Sequence, residues 1–117
     1  MYVSHVDDVE KERVEMDGAR GVWIQWLIAG REGAKNYALR LFTIEEGGVI
    51  PSHSHPWEHE VFVLEGEGVI GAGSEEKHVR AGSFAYIEPD IPHWYKNTGR
   101  GAWRFLCIIP MRGAGGR

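Results

Sequence analysis

From Val22 to Ile109 the chain is cut into short apolar runs, each closed within a few residues by Gly, Pro, Asn or Asp. That punctuation constrains the fold more than any other feature. An amphipathic helix needs apolar residues spaced about 3.6 apart over roughly ten residues or more, and no segment convincingly sustains that period. Runs of roughly four to eight residues between turn formers read as strands. The expected strands are 22–28, 37–44, 49–55, 60–65, 68–71, 76–80, 83–88, 92–96 and 102–109, with turn signals at 30–35, 46–48, 66–68, 71–74, 89–91 and 97–101. Sixteen glycines are scattered between these runs, nearly twice the ordinary share. Such a succession points to an all-β sandwich or barrel. Residues 7–16 fit two readings: a helix capped by Asp7, or a strand through Val9 and Val14.

Run 22–28 is broken only by Gln25, so both of its faces should be covered. The second cover is either another part of the chain around a central strand or another subunit. Five tryptophans are many for a chain of 117 residues. Left exposed, they would form a large apolar patch. A homodimer is therefore expected, with strand 22–28 and some of Trp23, Trp26 and Trp103 in or near its interface.

The length suits one domain, 1–117, with its core over about 37–110 and a Gly-rich flexible tail at 111–117. A chain of this size buries enough surface to fold without disulfides or a structural metal. The net charge of −4, with no basic stripe, argues against nucleic acid. No apolar stretch approaches a membrane span. Polar and acidic residues follow Met1 closely, so no signal peptide is expected. With Cys107 as the lone cysteine, these features favour the cytoplasm.

Four of the six histidines form two clusters. In His53-Ser-His55-Pro-Trp-Glu-His59-Glu60, the first two histidines share a strand face, since side chains alternate. Pro56 ends that strand. His59 opens the next run, where Val61 and Val63 share its parity, so a returning strand can turn it toward the pair. His93 follows Pro92 and opens a later strand, with Tyr95 on its face. Neutral imidazoles suit Mn, Fe, Co, Ni, Cu and Zn, and no thiolate lies in either cluster. Each histidine alone reads as an ordinary turn or strand residue. The combination does not. His5 and His78 stand apart and read as surface residues.

These clusters resemble the two cupin signatures. The first has the form G-x5-H-x-H-x(3,4)-E-x6-G, which Gly47, His53, His55, His59 and Gly66 match in spacing, with His59 at the family's glutamate. Glu60 lies one residue too close to Gly66 to take that place. The second has the form G-x5-P-x-G-x2-H-x3-N, in which Gly82, His93 and Asn97 keep the spacing, while Glu88 and Asp90 replace the proline and the inner glycine. The chain is most similar to small monocupins carrying H-x-H-P-W-E-H-E and a late F-L-C-x-I-P, here residues 105–110.

The resemblance implies a double-stranded β-helix, the jelly-roll barrel of the cupins, usually homodimeric. It implies one divalent transition metal per chain, manganese favoured, held by His53, His55, His59 and His93. Four neutral imidazoles leave the full charge on the ion, which favours anionic ligands. Parity and position place Arg40, Ile50, Tyr95, Phe105 and Cys107 in a substrate pocket, with Glu58 and Glu60 as candidates to orient the imidazoles. The leading functional expectation is an oxidoreductase using dioxygen or a peroxide on a small organic substrate. A metal-dependent isomerase or lyase, and a non-catalytic module binding a small ligand, are the alternatives.

Overall fold

The computed structural model describes residues 1–117. Nine antiparallel strands make the fold: β1 (Glu12–Arg13), β2 (Arg20–Ile28), β3 (Tyr37–His53), β4 (His59–Glu65), β5 (Glu67–Ala72), β6 (Glu75–Arg80), β7 (Phe84–Ile87), β8 (His93–Lys96) and β9 (Trp103–Pro110). They are bonded in the order β6-β5-β8-β3-β9-β4-β7, with β2 and then β1 added beside β3. The sheet curls into a nearly closed jelly-roll barrel. No helix is long and apolar enough to cross a membrane.

Strand β3 is one continuous strand, where two were expected. Its first half pairs with β2 and β9, and its second half pairs with β8. The turn signal at 46–48 marks the corner where the strand passes from one layer to the other. Asn97 fastens that corner: its amide donates to the carbonyls of Ile44 and Gly101, 2.9 Å each, and its oxygen accepts from the Gly99 N–H at 3.0 Å. This accounts physically for the asparagine of the second motif. Asp90 takes the left-handed φ of 68° where the family carries glycine, a conformation Asp adopts more readily than most residues.

Alternation on β9 sends Trp103, Phe105, Cys107 and Ile109 inward and Arg104, Leu106 and Ile108 outward. On β4, His59, Val61 and Val63 face in. Full burial of such apolar side chains contributes about 1.5–3 kcal/mol each. Gly66 closes β4 at φ +78°, and a methyl group there would overlap the Ala102 carbonyl oxygen. Gly66→Ala should therefore cost about 1–3 kcal/mol by chemical denaturation.

The outer face of β2 is covered by the chain's own N-terminal segment. Residues 7–16 are neither a full helix nor a long strand. A 3-10 turn spans Val6–Asp8, and β1 follows. The buried Gln25 amide donates to the carbonyls of Val6 and Val9 at 3.0 Å each, and Arg13 lies 4.4 Å over the Trp23 ring. The polar residue that interrupts the run is thus the bolt that holds its cover. Trp103 is 0% exposed, in the core, and Trp26 lies under Arg40 and Arg117. The tryptophans therefore do not make an exposed patch. Exposed apolar side chains include Phe62 and Leu64 on β4 and Phe84 and Tyr86 on β7.

The segment expected to fray is also tied down. Residues 111–113 form a 3-10 turn, and Arg117 pairs with Glu12 at 2.7 and 3.0 Å.

Candidate metal centre

Three strand ends and a loop bring four histidines together. His53 ends β3, His55 lies two residues beyond it, His59 opens β4 and His93 opens β8. His53 and His93 are direct partners in the β3–β8 register, and their ring centroids are 4.3 Å apart. The centroids of His55 and His59 are 4.6 Å apart, and each of these rings is 4.9 Å from His93.

Hydrogen bonds fix the tautomers. The Nδ1 atoms of His53, His55 and His93 lie 2.9, 3.1 and 2.9 Å from the carbonyl oxygens of Pro51, Trp57 and Ile91. A carbonyl only accepts, so each Nδ1 carries the hydrogen and each Nε2 presents a lone pair. His59 Nδ1 lies 2.9 Å from the Cys107 sulfur. The Nε2 atoms of His55 and His59 are 2.8 Å apart. His93 Nε2 is buried with no protein partner. Ligand nitrogens of His53, His55 and His93 all lie within 4.8 Å of one another, and His59 joins the group through His55.

This donor set fits a divalent cation. Nitrogens each about 2.1 Å from a common ion are separated by roughly 3–4.2 Å, inside the 4.8 Å within which those of His53, His55 and His93 gather. Lone pairs crowded together without donors are otherwise unfavourable. Burial pushes the His59 pKa down to about 2, with the charge of Arg40 and the neighbouring imidazoles adding to it. Burial likewise holds His93 at about 4 and lowers His55. His55, His59 and His93 are thus unprotonated near neutral pH, the form that binds metal.

The expectation for Glu58 and Glu60 is corrected. Neither is a hydrogen-bond partner of an imidazole: both line an open outer groove of about 850 Å³ with Tyr37 and Ile108, which contains none of the histidines. The Glu58 carboxylate acts on the Tyr86 hydroxyl, whose pKa it pushes up. Backbone carbonyls and Cys107 orient the rings instead. Burial pushes the Cys107 thiol up, against the opposing influence of Arg40.

Beside the histidines lies a cavity of about 220 Å³, and Arg40, Ile50, Tyr95 and Cys107 are in its lining. Phe105 is not in its wall. It stacks beneath, 5.4 Å from the Phe42 ring and 5.2 Å from Tyr95, one layer deeper in the barrel. Phe42 takes its place in the lining, and the shared parity of Arg40 and Phe42 on β3 was the signal for it. Ile24, the register partner of Phe42, and Trp57, stacked 4.3 Å from His55 at 8°, complete that side. Val14 and Met16 close the cavity from the N-terminal segment, and nothing periodic in the sequence marks them.

The sequence profile of the family described as Cupin domain matches residues 40–109. An oxalate-binding protein of Thermotoga maritima is 28% identical over 107 residues, 87% of this chain and 88% of the relative. Among solved structures, the polyketide cyclase RemF of Streptomyces resistomycificus superposes with a TM-score of 0.89 at 31% identity, covering 95% of this chain and 80% of its own. A predicted oxalate decarboxylase of Thermotoga maritima gives 0.82 at 25% identity, over 93% of this chain and 98% of that one. Barrel topology, motif spacing and family match agree, and the chain belongs to the cupin family.

Proposed function

We propose that this cupin holds one divalent transition metal on His53, His55, His59 and His93 and oxidises a small organic substrate with dioxygen or a peroxide. The observation that carries the reading is the convergence of imidazole nitrogens, the buried His93 Nε2 among them without a protein partner, beside a small cavity with largely apolar sides. Manganese is the metal the resemblance favours, and imidazole donors accept Fe, Co, Ni, Cu and Zn as well. When bound, such an ion supplies Lewis acidity and, for a redox-active metal, electron transfer.

The chain's own residues position the substrate and limit water. Ile24, Phe42 and Ile50 supply apolar wall, and Trp57 buttresses His55. The volume lies below the roughly 300 Å³ at which pockets for drug-sized ligands begin, so the substrate is small. No carboxylate lines the cavity to serve as general base, which favours oxidation over isomerisation.

Protein dialysed against a chelator and reloaded with one metal at a time should consume oxidant in the presence of a small organic substrate, followed by mass spectrometry of the products. His55→Ala should abolish turnover. Binding of small acids by the loaded protein, with no oxidant consumed under any metal, would overturn the oxidoreductase reading. It would favour the second one, a ligand-binding cupin, for which the similarity to an oxalate-binding protein speaks. Likeness to a polyketide cyclase keeps non-redox ring closure as the remaining alternative.

The proposed location is the cytoplasm, a reducing compartment that suits the lone Cys107. The proposed assembly is a homodimer. The face we propose for it is that of β4 and β7, where Phe62 pairs with Phe84 across the strands, 45% and 81% exposed. Light scattering should report a dimer at micromolar concentration and a monomer for Phe84→Glu. A wild-type monomer would dismiss the assembly.

A further inference from the structure

Arg40 sits mid-strand on β3, opposite Trp26 on β2 and Cys107 on β9, and is 8% exposed. Its guanidinium carries five N–H donors and a permanent charge. A single hydrogen bond is made, from Nη2 to the Cys107 sulfur at 3.0 Å. Nε is buried with no partner, and no carboxylate lies within ion-pair distance of the side chain.

The other arginines in ion pairs meet acids at the surface, Arg104 with Glu65 and Arg117 with Glu12. Arg40 alone combines burial with the absence of a counter-charge, an arrangement that is strongly unfavourable unless something else supplies the anion. The Phe42 and Trp26 rings lie 5.0 and 5.5 Å from its central carbon, and such contacts occupy the flat faces of a guanidinium. The in-plane N–H edge is left. That edge matches the two oxygens of a carboxylate. Arg40 also lines the same cavity as the imidazole cluster.

We infer that Arg40 anchors the carboxylate of a small organic acid, whose remaining oxygens face the histidine cluster across the cavity. The substrate or ligand class is thus a compact anionic acid bearing a second oxygen function, not a neutral hydrocarbon or ether. This rests on the proposed metal-dependent reading for the second contact. The contact at Arg40 stands on the arginine itself.

The test compares malonate with malonamide, its neutral diamide, by calorimetric titration of the metal-loaded protein, with metal content measured on the same samples. Wild type should bind malonate and discriminate against malonamide. Arg40→Gln should bind malonate about 10- to 100-fold more weakly, the factor set by losing a charge-assisted hydrogen bond. Its metal content should not change, and its preference for acid over amide should disappear. Arg40→Lys, which keeps the charge and loses the fork, should fall between them.

In wild type the Arg40 Nε–H resonance, assigned by its absence from the Arg40→Lys spectrum, should shift on adding malonate. This readout holds if Arg40→Gln does not fold. Equal malonate affinity in folded, fully loaded Arg40→Gln, a wild-type preference for malonamide, or an unmoved Nε–H resonance would each overturn the assignment. Should wild type retain no metal, the metal-dependent reading falls. The acid–amide preference and the Nε–H shift in that metal-free protein still decide the role of Arg40.

Discussion

His93→Ala should fold, and should come through dialysis with its metal lost. The ring is 1% exposed, its Nε2 has no protein partner, and its Nδ1 is held by the Ile91 carbonyl. It also faces His53 directly across the β3–β8 ladder. Removing it takes away the donor that bridges the two strand ends. Loss of an outer hydrogen-bonding partner costs metal sites about 10- to 100-fold in affinity, so loss of a ring that supplies a ligand nitrogen should exceed 100-fold. Elemental analysis and competition with a chromophoric chelator measure both effects. The same loss appears in stability, because metal at about 100 times its Kd stabilises wild type by about 2.7 kcal/mol, an increment the variant should lack. His78→Ala is the control. That ring is on the surface near Glu67 and should leave occupancy unchanged. Full metal content in His93→Ala would remove His93 from the centre.

The histidine cluster was legible because period-two alternation is a local rule. It put His53 and His55 on one face and His59 with Val61 and Val63, and the ladder then supplied the contact across strands. Parity also put Tyr95 on the face of His93 and Cys107 on that of Phe105, while Arg40 followed from its mid-strand position. It failed where depth mattered. Phe105 has the correct face, but Phe42 and Tyr95 stack over it, and alternation carries no information on layers within a barrel. The orientation of the imidazoles was misread for a different reason. Acidic neighbours in sequence drew the assignment to Glu58 and Glu60, while the partners of the rings are main-chain carbonyls and a sulfur from β9. Any residue supplies a carbonyl, so no side-chain pattern reveals it. The cover of β2 was likewise non-local. Gln25 announced that something polar had to meet that face, and the partners proved to be two carbonyls of a turn with no strong sequence signature.

Metal-free protein should lose stability as the pH falls below about 6.5, earlier than carboxylate titration alone would cause. In the folded barrel His93 is held at about 4 and His59 at about 2, both from an ordinary value of 6.5, chiefly by burial. His55 is lowered for the same reason. Between 6.5 and those values the unfolded chain binds protons that the folded chain refuses, so acid favours unfolding. The stabilising contribution is complete above 6.5. It declines from there to about 4 for His93 and continues to decline below that for His59. Each refused proton is worth about 1.4 kcal/mol per pH unit. The rings border a cavity that water can enter, and this solvation reduces the sum, leaving about 3 kcal/mol between pH 6.5 and pH 4. Urea midpoints measured with a chelator present should therefore fall steadily across that interval. Metal-loaded protein starts from a higher midpoint at neutral pH and should fall more steeply, because protons then compete with the ion for the same nitrogens. A double variant, His59→Gln with His93→Gln, should flatten the metal-free curve above pH 4.5. A metal-free wild type whose midpoint does not change between pH 7 and pH 5 would show that the rings are not held neutral by the fold, and the centre would have to be more open to water than the burial of His59 and His93 indicates.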